Sequence, residues 1–361
     1  MALQIFASNS TGAGVRADLT TLDDVIISAG VTVGSTNLDA IQGTGSGHLV
    51  MVQGTVIGER AIDIGTDFTT SSNQVIVGEA GQVLGFGSST GLRISGTNSL
   101  LDNDGYIWGT VGAVIMGGQG GATTSRIVNQ GTIESPVDAI LRILGSTETF
   151  TINNTGLISS EDDAFDSNTT TAIERIVNSG SIVGDILLGN GDDLFNGISG
   201  RLSGDVLGGA GADVLRGGID NDTFDGGADA DTLNGGGGSD TLLGGLGKDS
   251  LVGGTGKDFF DFNLAAESGI TPGTRDVIGD FRRSQADRID LRGIDARDTP
   301  AGDQAFNFIG TKAFTGQEGQ LRYALQGNTT IIIGSTDTDK AAEFSIQLTG
   351  KIGLLAGDFL L

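Results

Sequence analysis

Between Gly208 and Asp261 the chain repeats itself six times without a gap, as GGAGADVLR, GGIDNDTFD, GGADADTLN, GGGGSDTLL, GGLGKDSLV and GGTGKDFFD. A degenerate seventh copy, LGNGDDLFN, covers Leu188 to Asn196, ahead of an irregular eleven-residue stretch. Position six is aspartate in every copy (Asp193, Asp213, Asp222, Asp231, Asp240, Asp249, Asp258), and position eight is leucine or phenylalanine (Phe195, Leu215, Phe224, Leu233, Leu242, Leu251, Phe260). Position eight points a large apolar group inward. Glycines at positions one, two and usually four permit a turn tight enough to aim backbone carbonyls at one point. Two nonapeptides then close one coil with a turn on each side, so aspartates eighteen residues apart, such as Asp213 and Asp231, stack along one edge.

Carboxylates stacked about 5 Å apart repel one another, and such a column is unstable unless cations sit within it. The chain has no cysteine and a single histidine, His48, so the donors are hard oxygens. Hard oxygen donors select calcium; magnesium demands a more regular octahedron and keeps its water. All 14 acids between residues 185 and 261 are aspartates, whose shorter arm holds the oxygen near the turn. The competing reading is a metal-free acidic linker. A solvated linker has no use for an apolar residue at position eight of all seven copies.

Composition removes several function classes. The chain has 361 residues, 63 of them glycine, 3 proline, and 37% apolar, which is too apolar for disorder and lacks the period of collagen. A formal charge of −25 repels nucleic acid and anionic lipid, so neither is an expected partner. One histidine cannot form an H-E-x-x-H zinc site, and any Ser-His-Asp scheme would hang on His48. The opening MALQIFASNSTGAGVRAD has neither a basic region nor a long apolar run. No stretch of about 18 apolar residues follows, so neither a cleaved signal peptide nor a membrane span is expected.

The first half carries a second period. An apolar-x-Asn-x-Gly-x-apolar pattern recurs at Leu101/Asn103/Gly105/Ile107, Ile127/Asn129/Gly131/Ile133, Ile152/Asn154/Gly156/Ile158 and Ile176/Asn178/Gly180/Ile182. Looser copies centre on Gly30, Gly54 and Gly81, so successive glycines lie 24 to 27 residues apart. The units are rich in Val, Ile and Thr, alternate in polarity and lack a 3.6 period, which predicts strands in seven stacked coils of a right-handed parallel β-helix. Corners at Asn-x-Gly are expected to use glycine for positive φ and asparagine as a stacked ladder.

The nonapeptides resemble the RTX (repeats-in-toxin) family, whose repeat binds calcium. The resemblance implies a parallel β-roll in which each ion lies between turns n and n+2, taking carbonyls from positions one and three and the position-six carboxylate. The ligands it implies are Gly208, Ala210 and Asp213; Gly217, Ile219 and Asp222; Gly226, Ala228 and Asp231; Gly235, Gly237 and Asp240; Gly244, Leu246 and Asp249; and Gly253, Thr255 and Asp258. Pairing n with n+2 makes four complete sites, hence four or more calcium ions. Asp220 and Asp229 depart from the position-four glycine, and Leu188 replaces the first glycine of the isolated copy, so no full site is assigned to Asp193.

Residues 262–361 lose the repeat and gain arginines and aromatics, as in DVIGDFRRSQADRIDLRGIDA and the final GDFLL. This tail resembles the C-terminal domain of serralysin-type metalloproteases, which caps the roll and carries a type I secretion signal. The resemblance implies export by type I secretion machinery, with Asp358-Phe359-Leu360-Leu361 as its uncleaved address. The protease's zinc helix has no counterpart, which excludes zinc metalloprotease activity.

The expected organisation is all-β: a β-helix over 1–184, a calcium-bound roll over 185–261 and a β-rich cap over 262–361. The expected function is that of a secreted, extracellular calcium-binding protein with a non-catalytic surface, matrix or adhesive role toward polysaccharide or a cell surface. The alternative is a polysaccharide lyase or epimerase working on the β-helix. For that role the sequence offers Glu161, Asp162, Asp163 and Asp166, read as a solvated loop or cation site. It also offers Tyr106 and Trp108, while His48 is read as a surface loop residue and Arg142 and Arg175 as solvated.

Overall fold

Alternate apolar residues of the first half become continuous columns in three dimensions. The structure is a computed structural model that describes residues 2–361 except 21, 66–71, 88–89, 119–122, 144, 168–170 and 298–303. The chain divides into two compact units, Met1–Gly204 and Asp205–Leu361. Among the described residues the only helices are single 3-10 turns at Arg283–Gln285 and Ala356–Asp358, and no helix is long and apolar enough to cross a membrane.

In the first unit every coil lays parallel strands on those of the coil before. One column runs through Val25, Val50, Val75, Leu101, Ile127, Ile152, Ile176 and Phe195, all in register and buried. A second runs through Val33, Val56, Val83, Ile107, Ile133, Ile158 and Ile182. A third joins Ile41, Ile62, Leu92, Val114, Ile140, Phe165 and Ile186, so three apolar columns line the interior. A further coil, built from Leu3–Phe6, Ser10–Gly12 and Ala17–Leu19, precedes the first glycine-marked coil.

The corner asparagines are buried and hydrogen-bonded in series. The Nδ2 of Asn103 donates to Oδ1 of Asn129 (2.7 Å), Asn129 to Asn154 (2.7 Å) and Asn154 to Asn178 (2.8 Å). The glycines beside them are needed for a different reason from the expected one. Gly105, Gly131, Gly156 and Gly180 do not adopt left-handed φ. A Cβ on Gly131 would collide with the Gly105 carbonyl, one on Gly156 with that of Gly131, and one on Gly180 with that of Gly156. Close approach of stacked backbones selects glycine here.

In the second unit repeats pair n to n+2. Thr223–Ala228 pairs in parallel with Asp205–Ala210 and Thr241–Leu246, while Thr232–Gly237 pairs with Val214–Arg216 and Ser250–Thr255. Position eight fills the interior, and Phe224, Leu242 and Phe260 continue through Ile289 to Phe359, as Leu233 and Leu251 continue to Ile278. The tail therefore prolongs both sheets of the roll. Antiparallel strands Gln320–Gln326, Thr329–Ser335 and Phe344–Thr349 follow on one of them.

Asn129→Ala removes a buried donor and acceptor from the middle of the asparagine ladder. It should destabilise the first unit by about 2–3 kcal/mol in denaturant unfolding, whereas the exposed neighbour change Gln130→Ala should leave the midpoint nearly unmoved.

Candidate metal centre

Each nonapeptide of the second unit turns a carboxylate inward at its corner. Asp213, Asp222, Asp231, Asp240, Asp249 and Asp258 are all buried. In four of them one oxygen closes a backbone bond between coils: the N–H of Asp213 donates to Oδ1 of Asp231 (2.7 Å), Asp222 to Asp240 (2.9 Å), Asp231 to Asp249 (2.8 Å) and Asp240 to Asp258 (3.1 Å). The rungs outlast the nonapeptides. The N–H of Asp249 donates to Asp276 (2.8 Å) and that of Asp258 to Asp287 (3.2 Å). In the first unit Asp193 does the same for the N–H of Glu174 (2.7 Å).

The second oxygen faces the first glycine of its own repeat. A Cβ on Gly208, Gly217, Gly226, Gly235, Gly244 or Gly253 would collide with Oδ2 of that repeat's aspartate. At Gly208, Gly217 and Gly226 the first-position carbonyl of the next coil (Gly226, Gly235 and Gly244) converges on the same place. Glycine at position one thus keeps open a cradle lined by oxygens. At position two Gly209, Gly227, Gly236, Gly245 and Gly254 all have left-handed φ, which turns the strand into the corner. Position-three carbonyls are partly engaged: Ala228 accepts from Gly211 N–H (3.1 Å) and Thr255 from Gly238 N–H (2.9 Å), each with a lone pair left over. The Asp229 departure at position four is accommodated at φ +80°, a conformation that aspartate tolerates better than most residues.

Among the described residues the Oδ2 atoms of Asp231, Asp240, Asp249, Asp258 and Asp276 are buried without a hydrogen-bond partner. Burial pushes Asp231 up to about 8, with Asp249 and Asp213 above and below adding to the rise. It pushes Asp240 and Asp276 to about 7, and Asp222 and Asp249 to about 6. A buried oxygen without a donor is costly. A column of such oxygens beside carbonyls, with no nitrogen or sulfur donor, fits a hard divalent cation. Asp276 and Asp287 escape a search for nonapeptides because the glycines have gone. The signal that survives is the triplet of aspartate, any residue and an apolar residue, as Asp276-Val277-Ile278 and Asp287-Arg288-Ile289.

Other sequence candidates are placed differently. His48 is buried, not a surface loop residue: Nδ1 lies 3.1 Å from the Asp23 carbonyl oxygen and Nε2 3.0 Å from that of Thr44. Arg142 is buried too, under the ring of Phe150, with Nε donating to Glu174 (3.3 Å) and Nη2 to the Glu148 carbonyl (3.2 Å). Asp162 and Asp163 gather with Asp138, one coil earlier, their carboxylate oxygens within 4.8 Å of one another. Burial, then Asp162 and Asp138, pushes Asp163 up to about 6. The Tyr106 hydroxyl donates to Glu134 (2.9 Å), and Trp108 packs on Phe86 with ring centroids 5.4 Å apart.

The family described as peptidase M10 serralysin C terminal matches residues 164–361. Among solved structures, the AlgE6R2 subunit of the Azotobacter vinelandii mannuronan C5-epimerase is similar at 26% identity, over 43% of this chain and 91% of its own, with a TM-score of 0.30. The AlgE6R3 subunit of that epimerase is similar at 25% identity, over 53% of this chain and 80% of its own, with a TM-score of 0.26. No curated protein matches the chain.

The raised carboxyls set a pH dependence for the metal-free fold. Their folded pKa values lie above the ordinary value of about 4, so the stability they contribute is full below that pH and lost as pH rises through 6 to 8. In chelator the thermal midpoint of the full chain should fall steadily between pH 5 and pH 8.5 by calorimetry. A midpoint that rises over this range contradicts the burial argument.

Proposed function

The chain belongs to the peptidase M10 serralysin C-terminal family, an RTX-type calcium-binding family, and from that premise we propose that it is an exported calcium-binding protein whose second unit, once its corner aspartates are ionised, needs calcium among them to fold stably. The observation that carries this reading is the row of buried, donorless Oδ2 atoms, one per rung from Asp231 to Asp276. The ligands are the position-six carboxylates Asp213, Asp222, Asp231, Asp240, Asp249 and Asp258. They act with the first-position carbonyls of Gly208, Gly217, Gly226, Gly235, Gly244 and Gly253 and the third-position carbonyls of Ala210, Ile219, Ala228, Gly237, Leu246 and Thr255. Asp276 and Asp287 add two rungs from the tail. Calcium supplies positive charge among carboxylates that otherwise repel or take up protons. The chain's residues do the rest: glycine at position one keeps the cradle open, and position eight seals its inner wall.

The module boundaries 1–184, 185–261 and 262–361 carry over as parts of this proposal, with export through type I machinery and Asp358–Leu361 as the address. In a calcium-poor cytosol the acidic repeats stay open; outside the cell, millimolar calcium suits sites of extracellular affinity. Binding at 100 times Kd contributes about 2.7 kcal/mol per site, so four sites supply about 10 kcal/mol, as much as a typical domain's whole stability. The first unit, whose corner ladder from Asn103 to Asn178 is neutral, serves as a non-catalytic body that meets polysaccharide or a cell surface. A second reading, an enzyme on polysaccharide, draws support from one place: Asp163, raised to about 6 beside Asp138 and Asp162, has the range of a general acid.

Circular dichroism of the full chain should gain β signal on going from chelator to millimolar calcium, with magnesium a poor substitute. Asp240→Asn, which keeps an acceptor for the Asp222 N–H, should lose part of the calcium-induced rise in thermal midpoint. Identical spectra with and without calcium contradict the reading. To separate binder from enzyme, a screen of acidic and neutral polysaccharides for unsaturated or epimerised products should be blank. Turnover that Asp163→Asn abolishes would establish the enzyme instead.

A further inference from the structure

The stretch from Asp280 to Asp287 is fastened to the last nonapeptide at both ends. Asp280 accepts from the N–H groups of Gly253 (2.9 Å) and Gly254 (2.9 Å), and Asp287 from that of Asp258 (3.2 Å). The other Asp287 oxygen accepts from the Arg282 N–H (2.6 Å), which ties the last rung to the 3-10 turn Arg283–Gln285. From that turn Arg283 reaches across 75 residues of sequence. Its Nε donates to Oδ1 of Asp358 (2.7 Å) and its Nη2 to Oδ2 (2.5 Å) and to the Gly353 carbonyl (2.6 Å).

This fork holds a segment that is otherwise lightly attached. Asp358 is 2% exposed and Phe359 5%. Phe359 pairs with Ile289 and Leu360 with Asp290, the Leu291 N–H donates to the Leu360 carbonyl (2.9 Å), and the Phe359 ring packs on Phe308 at 5.2 Å. Two residue pairs are a short strand contact. The guanidinium–carboxylate pair is bidentate and charge-assisted, and the Leu355 N–H also donates to the Asp358 carboxylate (2.7 Å).

We infer that Asp358–Leu361 is a latch closed by calcium: filling the last rung, around Asp258 and Asp287, holds the Asp280–Asp287 stretch in the shape that presents Arg283 to Asp358, and closure hides the segment. The inference rests on the calcium reading above and deepens it by naming what calcium regulates. Before calcium binds, the Asp280 and Asp287 carboxylates repel Asp258 and the stretch has no fixed shape, so Asp358–Leu361 is presented to a partner. After calcium binds, the same residues form an edge strand of the roll. Coupling of this kind is reciprocal, so a docked segment also tightens calcium binding at the last rung. Arg283 acts here as a positioning residue, touching neither the ion nor its ligands.

Hydrogen–deuterium exchange of the full chain, followed on the peptide covering residues 352–361, tests the latch. In the wild type, millimolar calcium should slow exchange of that peptide relative to chelator. In Arg283→Gln, calcium should still produce the circular dichroism change of the roll, yet the peptide should exchange roughly ten- to hundredfold faster than in the calcium-loaded wild type. Arg283→Lys should restore only part of the protection. A peptide equally protected in chelator and in calcium overturns the latch, as does an Arg283→Gln chain that protects it like the wild type. If calcium changes the dichroism but not the peptide, the latch alone falls; if calcium changes neither, the calcium reading falls and takes the latch with it.

Discussion

At one corner of each coil a backbone N–H must find an acceptor from the coil beyond it, and the identity of that acceptor divides the chain chemically. At two corners of the first unit the acceptor is neutral: the His48 N–H donates to Asn73 Oδ1 (3.2 Å) and the Ser99 N–H to Ser125 Oγ (3.0 Å); at a later one it is already a carboxylate, Asp193, which accepts the Glu174 N–H (2.7 Å). In the second unit the acceptor is a carboxylate at every rung from Asp231 to Asp287. A neutral corner is complete once the bond forms. A carboxylate corner leaves a second oxygen buried, and stacking repeats that cost from Asp231 to Asp276; at Asp287 the Arg282 N–H meets it. The two units use one geometric solution, and in the second the Oδ2 atoms of Asp231, Asp240, Asp249, Asp258 and Asp276 stay without a donor.

The periodic parts of this arrangement were legible from residue types alone. Spacing of 24 to 27 residues predicted the column through Leu101, Ile127, Ile152 and Ile176, and position eight predicted Phe224, Leu242 and Phe260, because burial on one face leaves a strict trace in the sequence. Glycine was harder. Gly131 and Gly244 look alike as letters, yet one is excluded from bearing a Cβ by a stacked carbonyl and the other by a carboxylate side chain, a distinction that only packing reveals. The rungs at Asp276 and Asp287 carry no glycine signature, since the tail reaches the same corner with a different turn.

Single polar residues were misjudged for a related reason. His48 follows Gly45 and Gly47, and Arg142 stands at a period-related position, both patterns of solvated loops, but each is buried and has a partner one coil or more away, Asp23 and Glu174. Arg142 meets Glu174 from 32 residues away and Glu148 through its backbone. Asp138 joins Asp162 and Asp163 because one coil separates it from Asp163. In a solenoid the neighbours of a residue are one period away, so clusters are visible in sequence only after the period is applied.

The central claim is that the oxygen-lined corners of the second unit hold calcium. Diffraction from crystals grown in millimolar calcium, collected where calcium scatters anomalously, addresses it directly. The account predicts anomalous peaks about 2.3–2.6 Å from the Oδ2 atoms along Asp213 to Asp258, with further peaks at Asp276 and Asp287. An ordered roll without peaks at these corners would contradict it.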